Sequence, residues 1–219
     1  MLEPGRRRPC AGGVSGALFM IETIILDYGG VITPMRRSGA FIEWLLDTYD
    51  VDTEALRSLF CGPEYRDYQR GIVSEQAFYN AVQALGVEAD TQELADRLVR
   101  FNEPVPGMQR LVDALQAKFD LCLISDSTPE LTRDVKRRFK GVFRVVCFSD
   151  EYGYVKSDKV LFDILLTAID RTTNTCLYID DRPENLEYPE SKGVQCIRFV
   201  GVDALVRDLD TRWGIRVCI

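Results

Sequence analysis

The chain has 219 residues, 46% of them hydrophobic, and a formal net charge of −7. This suits one large globular domain or a core with an inserted subdomain, and the acidic balance argues against nucleic acid or an anionic membrane as partner. Histidine is absent, which excludes His-based general-base chemistry, Ser-His-Asp triads and His-ligated zinc and leaves carboxylates, Lys, Ser/Thr, Cys or an oxygen-held metal.

The first 20 residues, MLEPGRRRPCAGGVSGALFM, imitate a signal peptide faintly. The apolar stretch runs through Glu22 into the first core strand, so cleavage would damage the fold. Residues 1–19 therefore read as a disordered extension, with Met20 an alternative start. No segment has the run of apolar residues that a membrane span needs. The next stretch, IETIILDYGGVITP (21–34), is an apolar strand that ends on Asp27 and turns at once on Gly29 and Gly30. In open α/β sheets the rim at the carboxyl ends of the strands is where ligands bind. Alone, Asp27 is better read as a loop cap, because Asp and Gly are ordinary turn residues.

Residues 33–103 carry helical signals and almost no strand signal. Helices are predicted over 41–49, over 52–60 from the N-cap Asp52 to the stop Gly62-Pro63, over 74–86 from Ser74 to Gly86, and over 90–101 from Asp90, with Glu93 three residues on. Past Glu103 the texture changes to alternation: helix 108–119, strand 120–125, helix 129–140, strand 144–149, helix 158–169, strand 175–181, a short helix near 184–192, strand 194–199, and a closing DALVRDL helix before IRVCI. This alternation predicts a doubly wound α/β fold, a parallel sheet covered on both faces, with four helices inserted after its first strand. The expected organisation is an extension (1–19), an α/β core (20–32 and 104–219) and a helical cap (33–103).

The seven cysteines, at 10, 61, 122, 147, 176, 196 and 218, form no C-x-x-C pair. Four lie in apolar strand-like runs, so they read as buried thiols in a reducing cytoplasm.

The strand ends collect polar groups: Asp27; Ser125-Asp126-Ser127-Thr128; Ser149-Asp150 and then Lys156; Asp180-Asp181. If the strands are parallel neighbours, these groups share one rim. Such a set can hold Mg²⁺ through carboxylate oxygens and place a cation and a hydroxyl donor around a phosphoryl group. Asp180-Asp181 is the most telling pair, because adjacent carboxylates repel unless a cation or a donor shares them. Substrate contacts are sought in Arg36 and Arg37 and in GPEYRDYQRG (62–71), which offers Tyr65, Arg66, Tyr68 and Arg70; arginine forks suit phosphate or carboxylate.

In order and position, IILDYGGV, LCLISDS, GYVKSDKVLFD and CLYIDDRPEN resemble the four motifs of the haloacid dehalogenase superfamily, over nearly all of residues 21–200. SDEYGYVKSD and YIDDRPENLEYPESKGV are similar to the branch with a helical cap between its first two motifs, which includes many small-metabolite phosphatases. The resemblance implies a Rossmann-like core with Asp27 as nucleophile, forming a covalent intermediate. It implies Ser125 as a donor to phosphoryl oxygens, with Asp126 beside it at the substrate. It also implies Lys156 as the neutralising cation and Asp180 as the residue that orients it. Mg²⁺ would be held by Asp181, Asp27 and the Gly29 carbonyl, with Asn185 supporting the metal site.

Three positions depart from the family pattern. Gly29 stands where most phosphatases of the family have a second aspartate as general acid and base, help worth ~10²–10⁴-fold. Ser157 replaces the proline after the motif lysine, and Asp126 replaces an asparagine. The reading that follows is a Mg²⁺-dependent phosphatase of a small phosphorylated metabolite, such as a sugar phosphate, working in the cytoplasm as a monomer or homodimer. The alternatives are a metal-free haloacid dehalogenase, which needs no leaving-group acid, and a non-catalytic binding or regulatory protein of the same fold. A metal-free enzyme has no need of clustered acids in the last motif, so Asp180-Asp181 favours the phosphatase.

Overall fold

The computed structural model describes residues 20–34 and 37–217. The expected extension 1–19, Cys10, Arg36, the side chain of Arg37 and Cys218 lie outside the described residues. Among the described residues, five parallel strands form one sheet in the order β3-β2-β1-β4-β5. They are β1 (Thr23–Asp27), β2 (Asp120–Ser125), β3 (Val145–Phe148), β4 (Cys176–Asp180) and β5 (Gln195–Arg198).

β1 is a run of β-prone side chains and every residue in it is buried, as expected of a central strand covered on both faces. Period-two alternation sends Ile24 and Leu26 to one face with Leu121, Leu123, Leu177 and Ile179. Ile25 goes to the other face with Cys122, Ile124, Cys176 and Tyr178. The first face is covered by α6 (Met108–Gln116), α7 (Pro129–Arg138) and α11 (Val202–Trp213), the second by α9 (Val160–Ile169) and α10 (Glu187–Ser191). Cys122, Cys147, Cys176 and Cys196 are free and buried, and burial pushes the thiols of Cys122 and Cys196 up to about 12.

Between β1 and α6 lie α1 (Arg37–Thr48), α2 (Thr53–Cys61), α3 (Pro63–Gln69), α4 (Glu75–Gln83) and α5 (Thr91–Arg100). The caps read from sequence are made: Asp52 accepts from the Ala55 amide at 2.7 Å, Ser74 from Ala77 at 3.2 Å and Asp90 from Glu93 at 2.8 Å. Five helices stand here among the described residues, where four are predicted. Gly62-Pro63 reads as a stop, but proline is also well suited to the first position of a helix, and Pro63 starts α3 there. These helices have their own apolar cluster, built around Phe41, Leu45, Phe60, Tyr68, Phe78 and Tyr79, into which Leu131 of α7 inserts. Tyr68 stacks on Phe78 with ring centroids 4.4 Å apart.

Two short elements also differ from expectation. Ser149–Tyr152 forms one helical turn, α8, directly behind β3. The helix expected from residue 158 starts at Val160, because Lys156–Asp158 is a 3-10 turn closed by Lys159 at φ 65°. Among the described residues no helix is long and apolar enough to cross a membrane.

Candidate active site

β1 is the middle strand of the sheet, so its end lies at the centre of the rim. Asp27 closes β1, and the chain then folds back on itself: the amides of Ile32 and Thr33 both donate to the Tyr28 carbonyl at 3.0 Å. Gly30 is required twice over in this turn. Its φ is +93°, and a Cβ there would lie 2.5 Å from the Asp181 carboxyl carbon. A glycine thus lets the β1 turn meet the end of β4 across a gap that no side chain could share.

Lys156 reaches this point from the loop after α8, its side chain only 7% exposed. Its Nζ lies 2.9 Å from Asp27 Oδ1 and 2.8 Å from Asp180 Oδ2. Burial alone would lower the ammonium pKa; the charges of Asp27, Asp180 and Asp126 outweigh it and hold the group well above its ordinary value. Asp180 is fully buried and is met by four donors. They are Lys156 Nζ, the Tyr178 hydroxyl, the Arg182 amide at 2.8 Å, and Asn185 Nδ2 at 3.1 Å from each oxygen. Burial pushes this carboxyl up, but Lys156 and the hydrogen bonds win, and its pKa is lowered. Asn185 therefore touches Asp180 directly.

Asp181 is in different surroundings. Its carboxyl is pushed up by burial and by the charge of Asp180, with Lys156 and Arg182 offsetting only part of this. Its Oδ1 is buried and accepts no hydrogen bond among the described residues. Asp27, Asp180 and Asp181 can each present an oxygen within 4.8 Å of the others. Asp27 and Asp181 line the cavity and Asp180 lies behind them, so Asp27 and Asp181 are the pair placed to share a cation. An orphaned buried carboxylate oxygen beside a second carboxylate fits a hard divalent ion such as Mg²⁺.

In the turn after β2, Ser125 is buried and its hydroxyl donates to the Asp126 carbonyl at 3.3 Å, while Asp126, Ser127 and Thr128 line the cavity. Asp126 accepts from the Lys156 amide at 2.7 Å, so it anchors the lysine loop; burial raises its pKa against the pull of Lys156. Between the rim and the inserted helices is a cavity of about 630 Å³. Its floor includes Asp27, Gly29, Lys156, Asp181 and Asn185. Its roof includes Glu43 of α1, Phe60 and Cys61 of α2, and Tyr65, Arg66 and Gln69 of α3. Of the four candidates in 62–71, Tyr65 and Arg66 line the cavity. Tyr68 and Arg70 point elsewhere, to Glu130 of α7 and to Asp158.

Sequence reasoning passed over Tyr178, Arg182 and Glu43. Tyr178 carried a usable signal: two residues before Asp180 on a strand, it must share that residue's face. Arg182 lies behind an acid pair that drew the attention, and Glu43 looked like any solvated helix acid.

The family model for haloacid dehalogenase-like hydrolases matches residues 21–188. The chain belongs to the haloacid dehalogenase-like hydrolase family. No curated protein sequence matches it significantly. Among solved structures it is similar to a HAD family enzyme of Bacteroides thetaiotaomicron in complex with magnesium and inorganic phosphate (TM-score 0.65, 16% identity, 81% of this chain and 93% of that one). It is similar also to a HAD-like family hydrolase of Porphyromonas gingivalis (TM-score 0.63, 24% identity, 87% and 98%). A third is the L-2-haloacid dehalogenase of Xanthobacter autotrophicus with chloropropionic acid covalently bound (TM-score 0.60, 16% identity, 87% and 82%). At these identities the likeness establishes the fold.

Proposed function

We propose that this hydrolase is a Mg²⁺-dependent phosphomonoesterase acting on a small phosphorylated metabolite. The observation that carries the reading is the buried, unbonded Oδ1 of Asp181 beside Asp27 and Lys156. A metal-free dehalogenase would have no use for such an oxygen, and its anionic substrate would be repelled by it. That the Bacteroides relative binds magnesium and phosphate on the same fold agrees with this choice. The reading places the reaction in the cytoplasm, to which the four buried free thiols are suited.

Residues 33–103 act in this reading as a cap over a core of 20–32 and 104–219. Asp27 attacks phosphorus through a carboxylate oxygen; the Asp27–phosphorus bond forms as the bond to the leaving oxygen breaks. Water then attacks phosphorus, frees inorganic phosphate and regenerates the Asp27 carboxylate. Lys156 balances charge on the nucleophile and on the phosphoryl oxygens, and Asp180 holds Lys156 in place. Mg²⁺, held by Asp27, Asp181 and the Gly29 carbonyl, would supply electrostatic stabilisation of the transferring group. The hydroxyl donor is Ser125, which would leave the Asp126 carbonyl to reach the phosphoryl oxygens; Ser127, beside it in the cavity wall, has its own hydroxyl on the Thr128 carbonyl at 3.3 Å. With glycine at position 29 the leaving oxygen takes its proton from solvent, which favours substrates with an acidic leaving group, sugar-1-phosphates among them.

Gly29 fits the dehalogenase reading equally well, so one experiment covers both. Phosphate release from p-nitrophenyl phosphate and a sugar-phosphate panel is measured with and without Mg²⁺, beside halide release from 2-chloropropionate. Mg²⁺-dependent phosphate release is expected. Halide release without metal would replace the reading with a dehalogenase, and silence in both arms would leave a binding protein.

A further inference from the structure

Lys156 sits on a single 3-10 turn, Lys156–Asp158, whose closing residue Lys159 has φ 65°. A side-chain-bearing residue in the left-handed region persists only where its surroundings over-determine it. Three contacts do so here. Asp126 Oδ1 accepts from the Lys156 amide at 2.7 Å, and Asp158 Oδ2 from the Val155 amide at 3.0 Å. The third comes from the inserted helices: the guanidinium of Arg70, at the end of α3, forks onto Asp158. Its Nη2 donates to both oxygens at 3.0 Å and its Nε to Oδ2 at 3.3 Å. Both side chains are largely covered, at 23% and 28% exposure, and such bidentate, charge-assisted pairs fix orientation as well as distance.

We propose that Arg70 and Asp158 are a positioning pair: the inserted helices hold the turn that presents Lys156 to Asp27, without either member facing the reacting groups. Neither residue is part of the cavity wall. Gly71 brings Arg70 into range. It has φ +67°, and a Cβ on it would lie 2.3 Å from the Asp150 carbonyl oxygen, so the end of α3 is pressed directly onto α8. The same helix is held a second time, independently, by the Tyr68 hydroxyl on Glu130. Removing the Arg70 guanidinium therefore frees the lysine turn and leaves the helices docked. Positioning errors of this kind act on turnover more than on binding.

The proposal rests on the phosphatase reading for its kinetic arm alone; amide exchange tests the pair directly. Hydrogen–deuterium exchange is followed by mass spectrometry in the full chain, as wild type, Arg70→Ala and Arg70→Lys. Arg70→Ala is expected to speed exchange in peptides covering 153–160 while those covering α4 and β1 stay at wild-type rates. With p-nitrophenyl phosphate and Mg²⁺, kcat should fall about 10- to 100-fold with KM within about twofold, and Arg70→Lys should recover part of the loss. Unchanged exchange over 153–160, or faster exchange throughout the inserted helices, would overturn the pair. So would a raised KM at unchanged kcat, which would make Arg70 a substrate contact. Should the wild type release no phosphate at all, the phosphatase reading fails and the exchange result still decides the pair.

Discussion

At the end of β4 two adjacent carboxylates meet different surroundings. Asp180 is surrounded by donors, whereas Asp181 Oδ1 is buried with none among the described residues. The consequences for stability have opposite signs. The pKa of Asp181 is raised in the fold, so its ionisation costs stability as pH rises from about 3.9, the unfolded value, through the folded one. Asp181→Asn should therefore melt higher than wild type at neutral pH without metal, by about 2–4 °C for each kcal/mol relieved. The proposed metal site also predicts that Mg²⁺ raises the Tm of the wild type and not that of the variant. Thermal melts with and without Mg²⁺ check both parts. The pKa of Asp180 is lowered, so its contribution is present above about 3.9 and is lost as pH falls through the folded value. Tyr178→Phe removes one of its donors from a fully buried position. A hydrogen bond to a charged group contributes about 1.5–3 kcal/mol, and urea denaturation should show a loss of that size.

Among the elements, α7 ties the inserted helices to the core through a carboxylate. Glu130, in its first turn, is buried and accepts from the hydroxyls of Tyr68 in α3 and Tyr79 in α4, the latter at 2.7 Å. Burial raises its pKa despite those two donors. A carboxyl raised in the fold binds its proton more tightly there than in the unfolded chain, so its contribution declines as pH climbs from about 4.3. Glu130→Gln should match wild type in stability below that pH, then gain on it as pH rises to the folded value and hold the advantage above. Denaturant midpoints across pH 4–8 measure this; a constant difference at every pH would contradict it. The strands and most of the helices were legible in the sequence because apolar runs and caps are local signals: β1, and the inserted helices capped by Asp52, Ser74 and Asp90, stand where the residues put them. α3 was not, because Gly62-Pro63 ends one helix and begins the next with the same two residues. The Arg70–Asp158 pair joins positions 88 apart in the chain, and no local pattern marks it.

Over the whole molecule, the ordered acids, hydroxyls and lysine of the sequence gather because five parallel strands end at one rim, with β1 in the middle. That much follows from sequence once the strands are taken as parallel. The roof of the cavity does not: Glu43, Tyr65 and Arg66 face it through the packing of α1 and α3, which depends on how five helices settle on one another. Nor did the sequence show that Ser125 would turn into its own loop while Asp126 anchored the lysine. In the proposed reaction Asp27 takes up the phosphoryl group. This step is tested by quenching the enzyme in acid during turnover of p-nitrophenyl phosphate with Mg²⁺ and mapping the protein by mass spectrometry. One phosphoryl group is predicted on the peptide that carries Asp27, absent without Mg²⁺ and absent in Asp27→Asn, which should fold normally and lose turnover. Turnover that persists in Asp27→Asn, or a phosphoryl group on any other residue, would contradict it.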